Sequence, residues 1–142
     1  LLAVAKECVN DFIPMASQKN IKLFCSGISA GINADRRLVR EMIDNLLQNA
    51  IRYNKENGTV KVHVTIENGH PMISVEDTGI GIPADQLDRV FERFYRVDKS
   101  RSRETGGTGL GLAIVKHIAE LHSAEIAIHS IVDEGTEIVV RF

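Results

Sequence analysis

The stretch that most constrains the fold lies mid-chain, where Val60, Val62, Val64 and Ile66 alternate with Lys61, His63, Thr65 and Glu67. A period of two places the aliphatic side chains on one face of a strand and the polar ones on the other. Asn68-Gly69 follows at once, a dipeptide suited to a two-residue hairpin turn, and residues 72–77 supply the return strand. Around this hairpin the period changes. Leu2, Ala5, Val9, Phe12 and Ala16 are spaced by three and four, one face of an amphipathic helix running to about residue 20, with Pro14 expected to kink it or end its regular part early. Residues 21–25 read as a strand and the Ser/Gly-rich residues 26–31 as a turn. Asp35 can cap a second helix whose apolar positions Leu38, Met42, Leu46 and Ala50 run down to Tyr53, with Asn57-Gly58 closing it. A short helix near 84–91, a helix from Leu110 to about Leu121, and strands at 125–131 and 136–142 complete the reading. Helices alternating with antiparallel strand pairs predict an α+β fold, one layer of helices on one mixed sheet.

With 142 residues, 44% apolar and 25% charged, the chain is expected to be one domain, 1–142, large enough for its own core. A net charge of −2 and a pI near 6.2 exclude the broad basic face of a general nucleic-acid or membrane-surface binder. Cys8 and Cys25 are too few for a disulfide framework or a zinc site, which favours a reducing compartment. No apolar run reaches membrane-spanning length and no leader pattern precedes the first helix. The opening Leu1-Leu2-Ala3-Val4 is expected to be a cut from something longer, so an anchor elsewhere in a parent protein stays open.

Three constellations carry chemistry. The first is Gly107-Thr108-Gly109-Leu110-Gly111-Leu112, which opens an apolar helix pattern. Bare backbone N–H groups can approach a phosphate chain there, with a helix N-terminus behind them. Residues 92–104 just before it hold five basic and three acidic residues, a local positive field in a slightly acidic chain. The second is Asn45, Asn49 and Arg52, spaced by four and three and so sharing a helix face, expected opposite the Leu38/Met42/Leu46 stripe. An Asn carbonyl is a hard oxygen donor suited to magnesium, Arg52 can pair with a phosphate, and Tyr53 can cover an adenine ring. The same residues would also serve as an ordinary polar helix face. The third is Asp77 with Thr78-Gly79-Ile80-Gly81-Ile82-Pro83. A strand-end carboxylate can accept a hydrogen bond from the exocyclic amine of adenine, or simply cap the turn. Neither glycine run has the G-x-G-x-x-G spacing of a dinucleotide fold. Phe91 and Phe94 are expected in the core, Tyr95 and Arg96 at a nucleotide. The five histidines form no cluster and carry no assigned chemistry.

Taken in order, Asn45-x-x-x-Asn49-Ala50, Asp77-x-Gly79-x-Gly81-Ile82, Phe91-Glu92-Arg93-Phe94-Tyr95-Arg96 and the second glycine run resemble the N, first glycine, F and second glycine boxes of bacterial sensor histidine kinases. The resemblance spans essentially the whole chain, including Glu134-Gly135-Thr136 before the last strand. It implies the Bergerat fold of gyrase, heat-shock chaperone and mismatch-repair ATPases: a mixed, mostly antiparallel sheet of about five strands, covered on one face by about three helices, with an ATP lid. By the resemblance Asn49 ligands Mg2+, with Asn45 beside it at the ATP. Arg52 contacts phosphate, Tyr53 and Ile82 flank adenine, and Asp77 reads its amine with Gly79, Gly81 and Thr136 around it. Tyr95 and Arg96 join the nucleotide site, and Gly107, Thr108, Gly109, Leu110, Gly111 and Leu112 cradle phosphate under a lid bearing Arg101 and Arg103.

Two departures bear on the expectation. Ser123-Ala124 stands where the family often has Gly-Gly, and the histidine-centred phosphoacceptor motif is missing. The resemblance therefore implies a catalytic and ATP-binding domain alone, a monomer that uses Mg-ATP and hands its γ-phosphoryl group to a histidine on a separate dimerisation domain, with a response regulator downstream. It implies a cytoplasmic location in a membrane-anchored kinase, with no nucleic acid and no direct membrane contact. A Bergerat-fold hydrolase and a nucleotide-gated interaction module remain alternatives. Asn45 weighs against the first, because the hydrolases resemble one another in placing a glutamate base there, and an amide cannot take a proton from water.

Overall fold

The computed structural model describes residues 1–97 and 108–142. The hairpin forms as its alternation requires: strand β1 is Lys22–Gly27, and β2 (Thr59–Glu67) turns into β3 (His70–Asp77) with Glu67 opposite His70. Asn68 and Gly69 both have positive φ, 52° and 83°, the backbone twist that a two-residue turn needs. Val60, Val62 and Val64 are buried while Ile66 is exposed, so the alternation outlasts the covered part of the sheet. A second hairpin, β4 (Glu125–Ile131) and β5 (Gly135–Arg141), inserts β5 beside β3. The order is β1-β2-β3-β5-β4, with β1 parallel to β2 and every other pair antiparallel.

Among the described residues three α-helices cover one face: α1 (Leu2–Ser17), α2 (Arg36–Arg52) and α3 (Gly111–Leu121); Ala84–Arg89 is a 3-10 turn. Helix α2 lies between α1 and α3 and buries Met42, Ile43, Leu46 and Leu47 against Val62, Val64, Ile73 and Val75 of the sheet. The other sheet face is polar, with Lys61, Glu76 and Glu137 adjacent across three strands and Lys61 Nζ 3.2 Å from Glu76 Oε2.

Helix ends follow local chemistry. Asp35 Oδ1 accepts from the N–H groups of Arg37 (2.7 Å) and Leu38 (3.4 Å), capping α2 as read. Helix α1 continues through Pro14 to Ser17 and stops short of residue 20, where Asn20 takes φ 55° and turns the chain into β1. A proline that close to the end removes a donor without stopping the last turn. After α3 the Ser123 N–H bonds the Glu120 carbonyl and Ala124 N–H that of Ala119, with Ser123 at φ 53°. That is the bond pattern of a glycine-ended helix, carried here by a serine in the left-handed region.

Candidate nucleotide site

Helix α2, the loop after β3 and the start of α3 enclose a cavity of about 820 Å³, floored by Val75 and Ile138 of the sheet. Asn45, Asn49, Arg52, Tyr53, Asp77, Gly81, Ile82, Tyr95, Arg96, Thr108, Gly109, Leu110, Gly111, Leu112 and Thr136 all line it. Gly79 stands behind this wall, buried; of the expected lid, 97–106, Val97 lines the cavity, and the remainder, with Arg101 and Arg103, lies outside the described residues together with Gly107.

The two asparagines do not sit opposite the apolar stripe. Burial on α2 centres on Val39, Ile43, Leu46, Leu47 and Ala50, with Leu38 only half-buried, so Asn45 and Asn49 occupy the flank between core and solvent, turned toward α3. Asn45 donates from Nδ2 to the Glu41 carbonyl (2.8 Å), which leaves Oδ1 facing Gly111. A Cβ on Gly111 would stand 3.2 Å from Asn45 Oδ1 and 3.3 Å from Asn49 Nδ2, so glycine keeps open the gap between the amides and the helix start. Among the described residues no side chain caps α3, and its first intrahelical bond runs from Ile114 N–H to Leu110 O (2.9 Å). Helix N–H groups without a side-chain partner among the described residues can receive an anion, and the two side-chain amides beside them can offer oxygen to a hard cation.

At the other end Asp77 closes β3. Its Oδ1 accepts from Gly79 N–H at 2.8 Å, and the Thr136 N–H also bonds its carboxylate. Burial pushes Asp77 up to about 6 despite those two bonds, which favour the charged form, and Glu76 adds a further push upward. A Cβ on Gly79 would run into the Tyr53 carbonyl, which also accepts from Ile80 N–H (3.1 Å), so the loop after β3 is pinned to the end of α2. Beneath that junction Asn54 is buried, Nδ2 donating to Thr59 O (3.0 Å) and Oδ1 accepting from Lys55 N–H (2.9 Å) and the Thr78 hydroxyl (3.3 Å).

The aromatic segment departs from expectation at Phe94, which is 71% exposed instead of in the core, while Phe91 is half-buried. The backbone decides this: Phe94 N–H bonds Gly109 O (2.9 Å), its φ is 64°, and Gly109 packs on its main chain, which turns the ring outward. Tyr95 lines the cavity with the Arg89 guanidinium 4.2 Å from its ring centre. The histidines stay apart from the site: His63 meets Ser26 Oγ, and His122 Nε2 accepts from Asp35 N–H (3.1 Å) while Nδ1 donates to Ile118 O (2.7 Å).

Several lining residues carried no sequence signal. Lys19 reaches the end of α2 and donates from Nζ to the Arg52 carbonyl (2.6 Å), neutralising the negative helix terminus. Val132 and Asp133 arrive from the β4–β5 turn, where Asp133 N–H bonds Ile80 O (2.9 Å) and Lys55 Nζ bonds Asp133 O. These contacts join positions far apart in sequence, which no local pattern reveals.

The family described as "Histidine kinase-, DNA gyrase B-, and HSP90-like ATPase" matches residues 34–142. The sensor histidine kinase YkoH of Bacillus subtilis is 38% identical over 141 residues, 99% of this chain and 31% of that protein. Among solved structures, the mycobacterial sensor histidine kinase MprB superposes with a TM-score of 0.85 at 26% identity, covering 99% of this chain and 91% of that one. Full-length ShkA in complex with AMPPNP superposes with a TM-score of 0.82 at 26% identity, covering 99% of this chain and 29% of that one. The chain thus spans less than a third of YkoH, and it belongs to the histidine kinase-, DNA gyrase B- and HSP90-like ATPase family, on the branch of the sensor histidine kinases.

Proposed function

We propose that this chain binds Mg-ATP and presents the γ-phosphoryl group to a histidine on a separate helical dimerisation domain, within a longer kinase whose downstream partner is a response regulator. The reading is carried by one observation: a single cavity has an uncapped helix start and two amides at one end and a buried carboxylate at the other. An adenine nucleotide has that polarity, anionic phosphates at one end and a hydrogen-bond-donating amine at the other. The likeness to ShkA, solved with the ATP analogue AMPPNP, supports the same occupant here.

In this reading Asn49, with Asn45 beside it, holds Mg2+, whose bound form would bridge the phosphates and offset their charge. The N–H groups at the start of α3 receive phosphate, with Arg52 across from them. Gly111 keeps the approach open. Tyr53 and Ile82 flank the base, and Asp77 accepts its amine. The cavity's carboxylates among the described residues are Asp77 and Asp133, at the base end, and the amide Asn45 stands where a hydrolase would need a base, which favours transfer over hydrolysis. No helix among the described residues is long and apolar enough to cross a membrane; a cytoplasmic location within an anchored kinase is part of the same proposal.

Calorimetric titration tests the binding half: Asn49→Ala should weaken Mg-ATP at least about tenfold, and unchanged affinity would remove Asn49 from the metal site. Labelled ATP, a histidine-bearing helical hairpin domain and this chain test the transfer half. Label on the hairpin's histidine supports the proposal; free phosphate without labelled histidine would favour the hydrolase.

A further inference from the structure

We propose that Ser130, which stands outside the cavity wall, is a positioning residue for the base end of the site. The inference rests on the nucleotide reading above. Ser130 is half-buried on β4, opposite Thr136 of β5 in register. Its Oγ has three partners: it accepts from Ile82 N–H (2.8 Å), donates to Gly135 O (2.9 Å) and lies 2.8 Å from Thr136 Oγ1. With its one proton on Gly135 O, the Thr136 hydroxyl donates to it. Thr136 in turn stands opposite Asp77 in the β3–β5 register, and its backbone N–H acts on the Asp77 carboxylate. One hydroxyl therefore links Ile82 to Thr136, which holds Asp77, and all three of those residues line the cavity.

The loop it holds has little slack. A Cβ on Gly81 would run into the Ile131 carbonyl, and Asp133 N–H bonds Ile80 O (2.9 Å), so residues 80–82 lie flat on the β4–β5 turn. Among the described residues Ser130 is the side-chain tie in that contact. Its removal leaves Ile82 N–H without its acceptor and frees the Thr136 hydroxyl, so the spacing between Ile82 and Asp77, which sets the fit of a base, is held less tightly. The phosphate end stands on α2 and α3 and does not touch Ser130.

The test titrates adenosine, ATP, GTP and inorganic triphosphate, each with magnesium, into the 142-residue chain and its Ser130→Ala and Ser130→Thr variants. Ser130→Ala should weaken adenosine about five- to tenfold and narrow the ATP-over-GTP preference by a similar factor, leaving triphosphate within about twofold. Ser130→Thr, which keeps the hydroxyl, should restore the preference. Unchanged adenosine affinity and preference in Ser130→Ala overturn the inference alone. So does equal weakening of adenosine and triphosphate with a lower melting temperature, which marks a merely structural role, or a folded Ser130→Thr that fails to restore preference. If the unaltered chain bound ATP and GTP alike, the role of Asp77 would fall and this inference with it.

Discussion

Asp35 and Asp77 make almost the same local bond, yet their pKa values are shifted in opposite directions. Each carboxylate accepts from the N–H two residues ahead, Arg37 at 2.7 Å and Gly79 at 2.8 Å. Asp35 is exposed; its bond with Arg37 N–H, aided by that of Leu38 and the Arg37 charge, holds it below the usual carboxylate range. Asp77 is enclosed beneath β5 and the loop after β3, and burial drives it the other way, up to about 6. The bonding is local and the burial is not. Asp35 satisfies its helix start and leaves nothing for a ligand, whereas Asp77 keeps an under-solvated acceptor in a cavity, the condition in which a ligand's amine gains most. The helix starts differ the same way: α2 is closed by Asp35, and α3, beginning after Leu110, has no side-chain cap among the described residues.

The sharpest way to break that contrast is to give α3 a cap like that of α2. Leu110→Asp should place a carboxylate on the N–H groups that we propose receive phosphate, weakening Mg-ATP by about ten- to a hundredfold while leaving adenosine within about threefold. Titration of both ligands checks it, and undiminished ATP affinity would mean that phosphate does not use the start of α3.

Next in size are two consequences of Asp77's burial. Its folded pKa lies above its unfolded one, so its contribution favours the fold below about pH 4 and is lost as pH rises through about 6. Asp77→Asn should therefore stabilise the ligand-free chain at pH 8 by roughly 1–3 kcal/mol in urea unfolding, while reducing ATP-over-GTP preference. Adenosine, which has no phosphate to titrate, should bind the unaltered chain about tenfold better at pH 8 than at pH 5, because binding draws on the ionised carboxylate. A flat profile would show that the base does not meet Asp77.

Asp35→Ala should lower the melting temperature by roughly a few degrees and leave Mg-ATP affinity unchanged, since only the structural cap is lost. The cap's contribution, present at neutral pH, should fade as pH falls through the lowered pKa of Asp35. The smallest effect belongs to Ser123→Gly, which removes the left-handed strain after α3 and should stabilise by about 0.5–1 kcal/mol without touching nucleotide affinity.

Much of the architecture was legible because its determinants are neighbours along the chain. The period of two in β2, the Asn68-Gly69 turn, the Asp35 cap and the spacing of Asn45, Asn49 and Arg52 each depend on residues within a few positions. The order of the four boxes pointed to the family on the same footing, as a pattern of residue types. Where a rule of residue type met the bonding around the residue, the bonding won. Pro14 was carried inside α1, Ser123 was held at φ 53° by the turn after α3, and Phe94 was turned out of the core by its own backbone packing on Gly109.

The amino-acid sequence by itself determined which segments are helices and strands and which polar side chains are available for nucleotide chemistry, because periodicity, capping and turn conformation act within a few residues. Only the tertiary structure decided what those side chains can do. Packing of α2 between α1 and α3 turned the Asn45 and Asn49 amides toward an uncapped helix start instead of solvent. The insertion of β5 beside β3 buried Asp77 and brought Thr136 to it, and the β4–β5 hairpin delivered Ser130 and Asp133 to a loop some fifty residues earlier in the chain. Desolvation and long-range hydrogen bonds arise from which surfaces meet, and no run of neighbouring residues encodes that meeting.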